Sequence, residues 1–197
     1  MLDLGAFQLD CPALDLQDVS LDPFYDEAWD RMQRLRRQAE ELCDEYWLEH
    51  HRGRQEARRR SERPMYGCNI RCGKYKVTPY WFAYQFVDNR RLPRTQVLKP
   101  SSYKPARYDT SIFHNAPPWE AAVIRTIEAR FIPLRGEAEF LSRFFAFLRA
   151  NEFQALSMAG LDQAAVKQRQ RDRDRRMVMF KRTRDVGASA DARRHGG

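Results

Sequence analysis

Nine basic side chains between positions 71 and 107, Arg71, Lys74, Lys76, Arg90, Arg91, Arg94, Lys99, Lys104 and Arg107, share that stretch with seven aromatic ones, Tyr75, Tyr80, Trp81, Phe82, Tyr84, Phe86 and Tyr103. Lysine and arginine neutralise phosphates, and bases or sugars stack on aromatic faces, so this pairing of types is chemistry suited to nucleic acid. A two-stranded ribbon entering a duplex groove would use the same residues. The residues expected to touch nucleic acid are Arg71, Lys74, Lys76, Tyr80, Trp81, Arg90, Arg91, Arg94, Lys99 and Lys104. Against this stands a plain structural reading: strand alternation sends half of the aromatics into a core, an objection that weighs less on the charges.

Other chemistries find less support. Cys68 and Cys72 stand four apart in a stretch that alternates like a strand, so both thiols point to one face. A zinc site would need a second pair at ligand spacing, and His50, His51 and His114 do not provide it, so buried thiols acting as small hydrophobes are the better reading. Glycine-rich phosphate loops, HExxH and GxSxG are missing from the chain. His50-His51 beside Tyr46 could suggest a histidine-bound metal serving a nucleophilic tyrosine, but such a site needs three convergent histidines. The expectation is a protein that is not an enzyme, with no catalytic residue, metal or cofactor.

Charge is sorted along the chain. Residues 1–50 carry 13 acids and 4 bases, residues 51–107 carry 15 bases and 3 acids, and residues 163–197 carry 11 bases and 4 acids. Two positive blocks flanking an acidic or neutral scaffold concentrate potential where a polyanion could dock, although basic surface can also serve solubility alone. No apolar run approaches the roughly 18 residues of a membrane span. The start, MLDLGAFQLD, lacks the pattern of a secretory signal, and four cysteines make no disulfide framework. Reduced thiols in a cytoplasmic protein follow.

These side chains need elements to position them. Residues 1–21 mix Gly5, Pro12, acids and isolated leucines and are expected to be a flexible acidic segment. A helix should begin at Asp22-Pro23, with aspartate as its cap and proline in its first turn. Tyr25, Ala28, Met32, Leu35, Ala39, Leu42 and Tyr46 then recur at steps of three and four, and the pattern can run on into His50-His51-Arg52. After Pro64 the period becomes alternating. Tyr66 to Gly73 reads as a strand, Tyr75 to Val87 as a second with a break or edge at Pro79, and Thr95 to Lys99 as a short third, with a turn at Asp88-Asn89. Prolines mark 100–118 as a crossing loop. A second long helix starts at Pro117-Pro118 with Trp119, Val123, Ile127, Phe131, Leu134, Ala138, Leu141, Phe145 and Leu148 as its stripe, and Pro133 should bend or split it. From residue 161 the chain is expected to be a flexible basic tail, too poor in apolar residues to fold. The fold expected is α+β over residues 22–160: a long helix, a three-stranded antiparallel meander, and a second long helix packed on the first.

In order along the chain, CDEYW ending at Trp47, the strand Gly67-Cys68-Asn69-Ile70-Arg71 followed by a strand containing Trp81, and the pattern APPWE…IRTIEARF…R…FLSR resemble the MobI family of conjugative-transfer proteins. The likeness spans roughly residues 28–148, rests on order and spacing, and places Arg71, Trp81 and Trp119 at family positions. It implies a relaxosome accessory factor of a mobile element, acting at the origin of transfer to help the relaxase begin DNA processing, with no catalytic residues assigned. The partners implied are DNA and the relaxase or other transfer proteins, with a homodimer left open and no membrane. Two alternatives stay open: an RNA-binding protein using the same surface, and a coiled-coil adaptor whose charges are incidental.

Overall fold

A computed structural model describes residues 21–87, 90–101, 106–158 and 162–177, with the side chains at 60, 86–94 and 155–158 outside that description. Residues 1–20, the Asp88-Asn89 turn and residues 178–197 therefore lie outside the described residues.

Helix α1 runs Asp22–Glu56 and buries the stripe read from the sequence, prolonged by Cys43, His50 and Gly53. Its start departs from expectation. The N-cap is Leu21 and no side chain caps the helix. Asp22 instead accepts hydrogen bonds from Arg169 at 3.1 Å and from Arg173 at 2.6 and 2.9 Å. A long-range charge pair has outcompeted the local cap.

The alternating segment forms β1 (Tyr66–Gly73), β2 (Lys76–Val87) and β3 (Arg90–Val97), an antiparallel sheet in the order β1-β2-β3. The third strand is longer than its apolar pattern suggested, because backbone pairing with β2 extends through Phe86↔Arg91 and Val87↔Arg90. Lys74 and Tyr75 make the first hairpin turn, and Tyr75 has φ 56°. A left-handed conformation costs a residue with a side chain roughly 1–2 kcal/mol. Stacking of the Tyr75 ring on Phe145 at 4.4 Å, with Ser142 donating to its carbonyl at 2.8 Å, offsets that cost.

Helix α2 spans Pro118–Met158 without a break at Pro133. That residue is exposed, so the Ala129 carbonyl it leaves unbonded is open to water, while buried Phe131 and Arg135 hold the helix on either side. α1 and α2 run antiparallel, as the pairings Tyr25–Phe145, Arg31–Glu137, Glu45–Arg130 and Tyr46–Glu120 show. Between them and the sheet lie two apolar clusters. One gathers Leu42, Tyr46, Cys68, Trp81, Ile127 and Phe131, the other Tyr25, Met32, Leu35, Val77, Leu141 and Phe145. At Gly53 a Cβ would sit 2.5 Å from the Trp119 ring, so only glycine lets the two helices approach there.

The expected flexible tail from residue 161 is corrected in part. Gln163–Arg176 form a third helix, α3, capped by the Asp162 side chain at Ala164 N. Ionic contacts more than apolar burial hold it. Arg173 is 2% exposed, lies 3.9 Å over the Tyr25 ring, and meets Glu152 with two hydrogen bonds of 2.7 Å.

Candidate nucleic-acid interface

Strand alternation divides the sheet into two faces. Tyr66, Cys68, Val77, Pro79 and Trp81 are buried against the helices, and the intervening Asn69, Arg71, Gly73 and Lys76 are exposed. The register sets Asn69 opposite Tyr80 and Gly67 opposite Phe82, so Tyr80 and Phe82 lie with Arg71 on the outward face. Both rings are half-buried, and neither belongs to a core cluster. At Gly67 a Cβ would stand 2.4 Å from the Phe82 ring, whose tip therefore reaches over β1. The Arg71 guanidinium sits 5.2 Å over the Tyr80 ring. Trp47 of α1 donates to the Cys68 carbonyl at 3.1 Å and extends the aromatic row beside Phe82 at 6.4 Å.

Of the residues expected to touch nucleic acid, Arg71, Lys76 and Tyr80 share this face, and Lys99 is exposed just past β3. Lys74 is half exposed, but its ammonium is engaged by Asp174 of α3, at the end of the sheet. Trp81 is a correction. It points inward opposite Cys68, is fully buried, and donates its indole N–H to Glu128 at 2.7 Å, so no base can reach it. Arg90, Arg91 and Arg94 are placed by the β3 backbone, with their side chains outside the described residues, as is all of Lys104. Trp119 is structural too, donating to the Glu62 carbonyl at 2.9 Å. Phe82 is the residue that sequence reasoning left off the site; its parity with Tyr80 was the available signal.

The positive character of this surface follows from composition. From Arg63 to Tyr108 the chain holds one acid, Asp88. Besides the contact of Lys74 with Asp174, Lys76 stands 3.8 Å from Glu139 of α2, an exposed pair of little strength.

Behind the sheet, Glu128 and Glu120 fix its position, while a third buried carboxylate, Glu152, holds α3. Glu128 forms two hydrogen bonds of 2.8 Å with Arg135, and also accepts from Tyr108 N at 2.9 Å. Arg135 in turn donates to the carbonyls of Pro79 and Ala106. Glu152 holds Arg173, as above. Glu120, fully buried, accepts from Met65 N at 2.8 Å, Tyr66 N at 3.0 Å and the Tyr46 hydroxyl at 2.9 Å, tying the start of β1 to both helices. Burial raises the Glu120 carboxyl above its ordinary value of 4.5, against the opposing pull of those donors. The folded state therefore keeps this proton at pH values where the unfolded chain has lost it. The resulting stability is complete below 4.5 and is lost as pH rises through the folded value. In urea unfolding across a pH series, the advantage of the parent over Glu120→Gln is expected to shrink as pH rises above 4.5. A flat difference would refute the shift.

Among the described residues no group of three or more histidine, cysteine, aspartate or glutamate side chains is placed to hold a metal ion. None of the described helices is long and apolar enough to cross a membrane. Cys43 and Cys68 are both buried in the first cluster, and burial, followed by the contact with Cys43, pushes the Cys68 thiol well up. Such a thiol is a packing group with low reactivity.

Fold and surface together define a class: a helical hairpin that backs a three-stranded sheet and leaves a basic, aromatic face outward. Within that class the chain belongs to the MobI protein family, whose model matches residues 35–149. The match covers α1 from Leu35, the whole sheet and most of α2, and membership indicates an accessory role in conjugative transfer. Comparisons with curated proteins and with solved structures returned no match.

Proposed function

We propose that this protein binds DNA at the origin of transfer and helps the relaxase begin its work there, as a component of the relaxosome. The supporting observation is the outward sheet face, where Arg71, Lys76 and Tyr80 stand together with Lys99 nearby, on the fold of a family tied to conjugation. Phosphates would be met by the cations and orient the DNA, while the sheet gives them a rigid base.

The test is a mobility-shift titration of an origin-of-transfer fragment with the triple variant Arg71→Glu, Lys76→Glu, Lys99→Glu. All three side chains are exposed, so folding should be unaffected. Affinity is expected to fall at least tenfold, and the salt slope to drop by about one per lost phosphate contact. Unchanged affinity and slope would end the proposal. A protein adaptor is the second reading, favoured by Phe140 and Phe147, which are 65% and 61% exposed on α2. Binding of a transfer protein that ignores salt and the triple variant, with no DNA bound, would support it instead.

A further inference from the structure

We infer that the outward sheet face takes single-stranded DNA, its bases stacking on Tyr80, Phe82 and Trp47. This rests on the DNA-binding reading above and specifies the form of DNA.

Phe82 neighbours both other rings, tilted by 37° to Trp47 and by 50° to Tyr80. Ring centroids are 6.4 Å apart from Trp47 to Phe82 and again 6.4 Å from Phe82 to Tyr80. That step is near twice the ~3.4 Å rise of one strand in a duplex, so neighbouring rings can meet bases pulled apart along an extended strand. All three side chains are half-buried, each held by its neighbours while keeping some surface open. Gly67 contributes by omission, since a side chain there would lift the Phe82 ring off the sheet. Arg71 over Tyr80 adds a planar cation able to stack on a base or meet its phosphate.

A closed duplex gains little from this arrangement. Its bases already stack on each other and present only edges to the grooves, whereas ring faces make no hydrogen bonds to such edges. Asn69 on β1, Thr78 on β2 and Thr95 on β3 are short polar groups suited to an unpaired base edge. A surface of this kind acts on DNA once it is open, and would hold one strand of a melted site.

The experiment uses the full chain and a fluorescein-labelled oligonucleotide of about 16 nucleotides, single-stranded or annealed to its complement, read by anisotropy at two salt concentrations. The single strand is expected to bind more tightly than the duplex. Tyr80→Ala and Phe82→Ala should each weaken single-strand binding roughly 5- to 150-fold and leave duplex binding as it was, with Tyr80→Phe close to the parent. Should Phe82→Ala lower the melting temperature, Gly67→Ala serves instead, because it displaces the ring and keeps it. A duplex bound as tightly as the single strand, with no effect of the ring variants, overturns this inference and leaves the DNA-binding reading standing. Binding of neither form overturns both. Tighter binding of the same sequence as RNA overturns the assignment to DNA.

Discussion

Replacing Arg135 with methionine is expected to cost the fold about 3–5 kcal/mol, a large share of the stability of a domain this size. The side chains of Arg135 and Glu128 are 5% and 6% exposed, and they face each other through two parallel bonds of 2.8 Å. Removing the guanidinium leaves the Glu128 carboxylate buried without its counter-charge. It also strips the carbonyls of Pro79 and Ala106 of their donor and removes a cation lying 4.7 Å over Tyr108. Glu128→Leu should cost a similar amount from the other side, since Trp81 and the Tyr108 amide lose their acceptor as well. The double replacement should cost clearly less than the sum of the two, because it buries no lone charge. Urea unfolding of the four proteins decides it. Additive losses would mean that the pair does not act as a unit.

The same network shows where sequence reading succeeds and where it stops. Helix α1 was legible because Tyr25 to Tyr46 repeat an apolar period, and the sheet was legible because Tyr66 to Cys72 alternate. Both patterns report burial along one element. Neither says which of two adjacent aromatics turns inward, so Tyr80 and Trp81 both read as contacts, and only the register of Trp81 with Cys68 puts it in the core. Glu120, Glu128 and Arg135 carry charge, and charge ordinarily marks surface. Yet Glu128 and Arg135 lie seven apart, among Ile127, Phe131, Leu134 and Ala138, on the helix's apolar stripe. Opposite charges two turns apart within such a stripe are a signal for a buried pair. Asp22 misled in the opposite way: it has the right type and place for a cap, and a distant arginine took it. The exposed bases were easier to place, because a stretch nearly free of acids must be positive on whichever face remains open.

Helix α3 was missed for a related reason, and the second large prediction comes from it. Arg173→Ala is expected to lower stability by about 3–5 kcal/mol. A segment as polar as Gln163–Arg176 offers little apolar area, with Val166 and Arg173 as its buried residues and Met177 just beyond. What composition does not reveal is that one arginine converges on two carboxylates from different elements, Asp22 of α1 and Glu152 of α2. Burial alone would lower the Arg173 guanidinium, but hydrogen bonds and charge from Glu152 and Asp22 outweigh it and hold the group above its ordinary value. Losing Arg173 leaves the Glu152 carboxylate, 4% exposed, with no counter-charge from α3, and uncovers the Tyr25 ring beneath. Adding Glu152→Gln to Arg173→Ala should recover part of the loss, since the stranded charge is then gone. Arg171→Ala, exposed on the same helix, should stay within about 0.5 kcal/mol of the parent and serves as the control for helix propensity and net charge. Removing the chain after Asp162 would therefore destabilise the domain as well as take away basic residues, so the point variants are the cleaner comparison. Equal unfolding midpoints for Arg173→Ala and Arg171→Ala would show that α3 is not docked through this arginine.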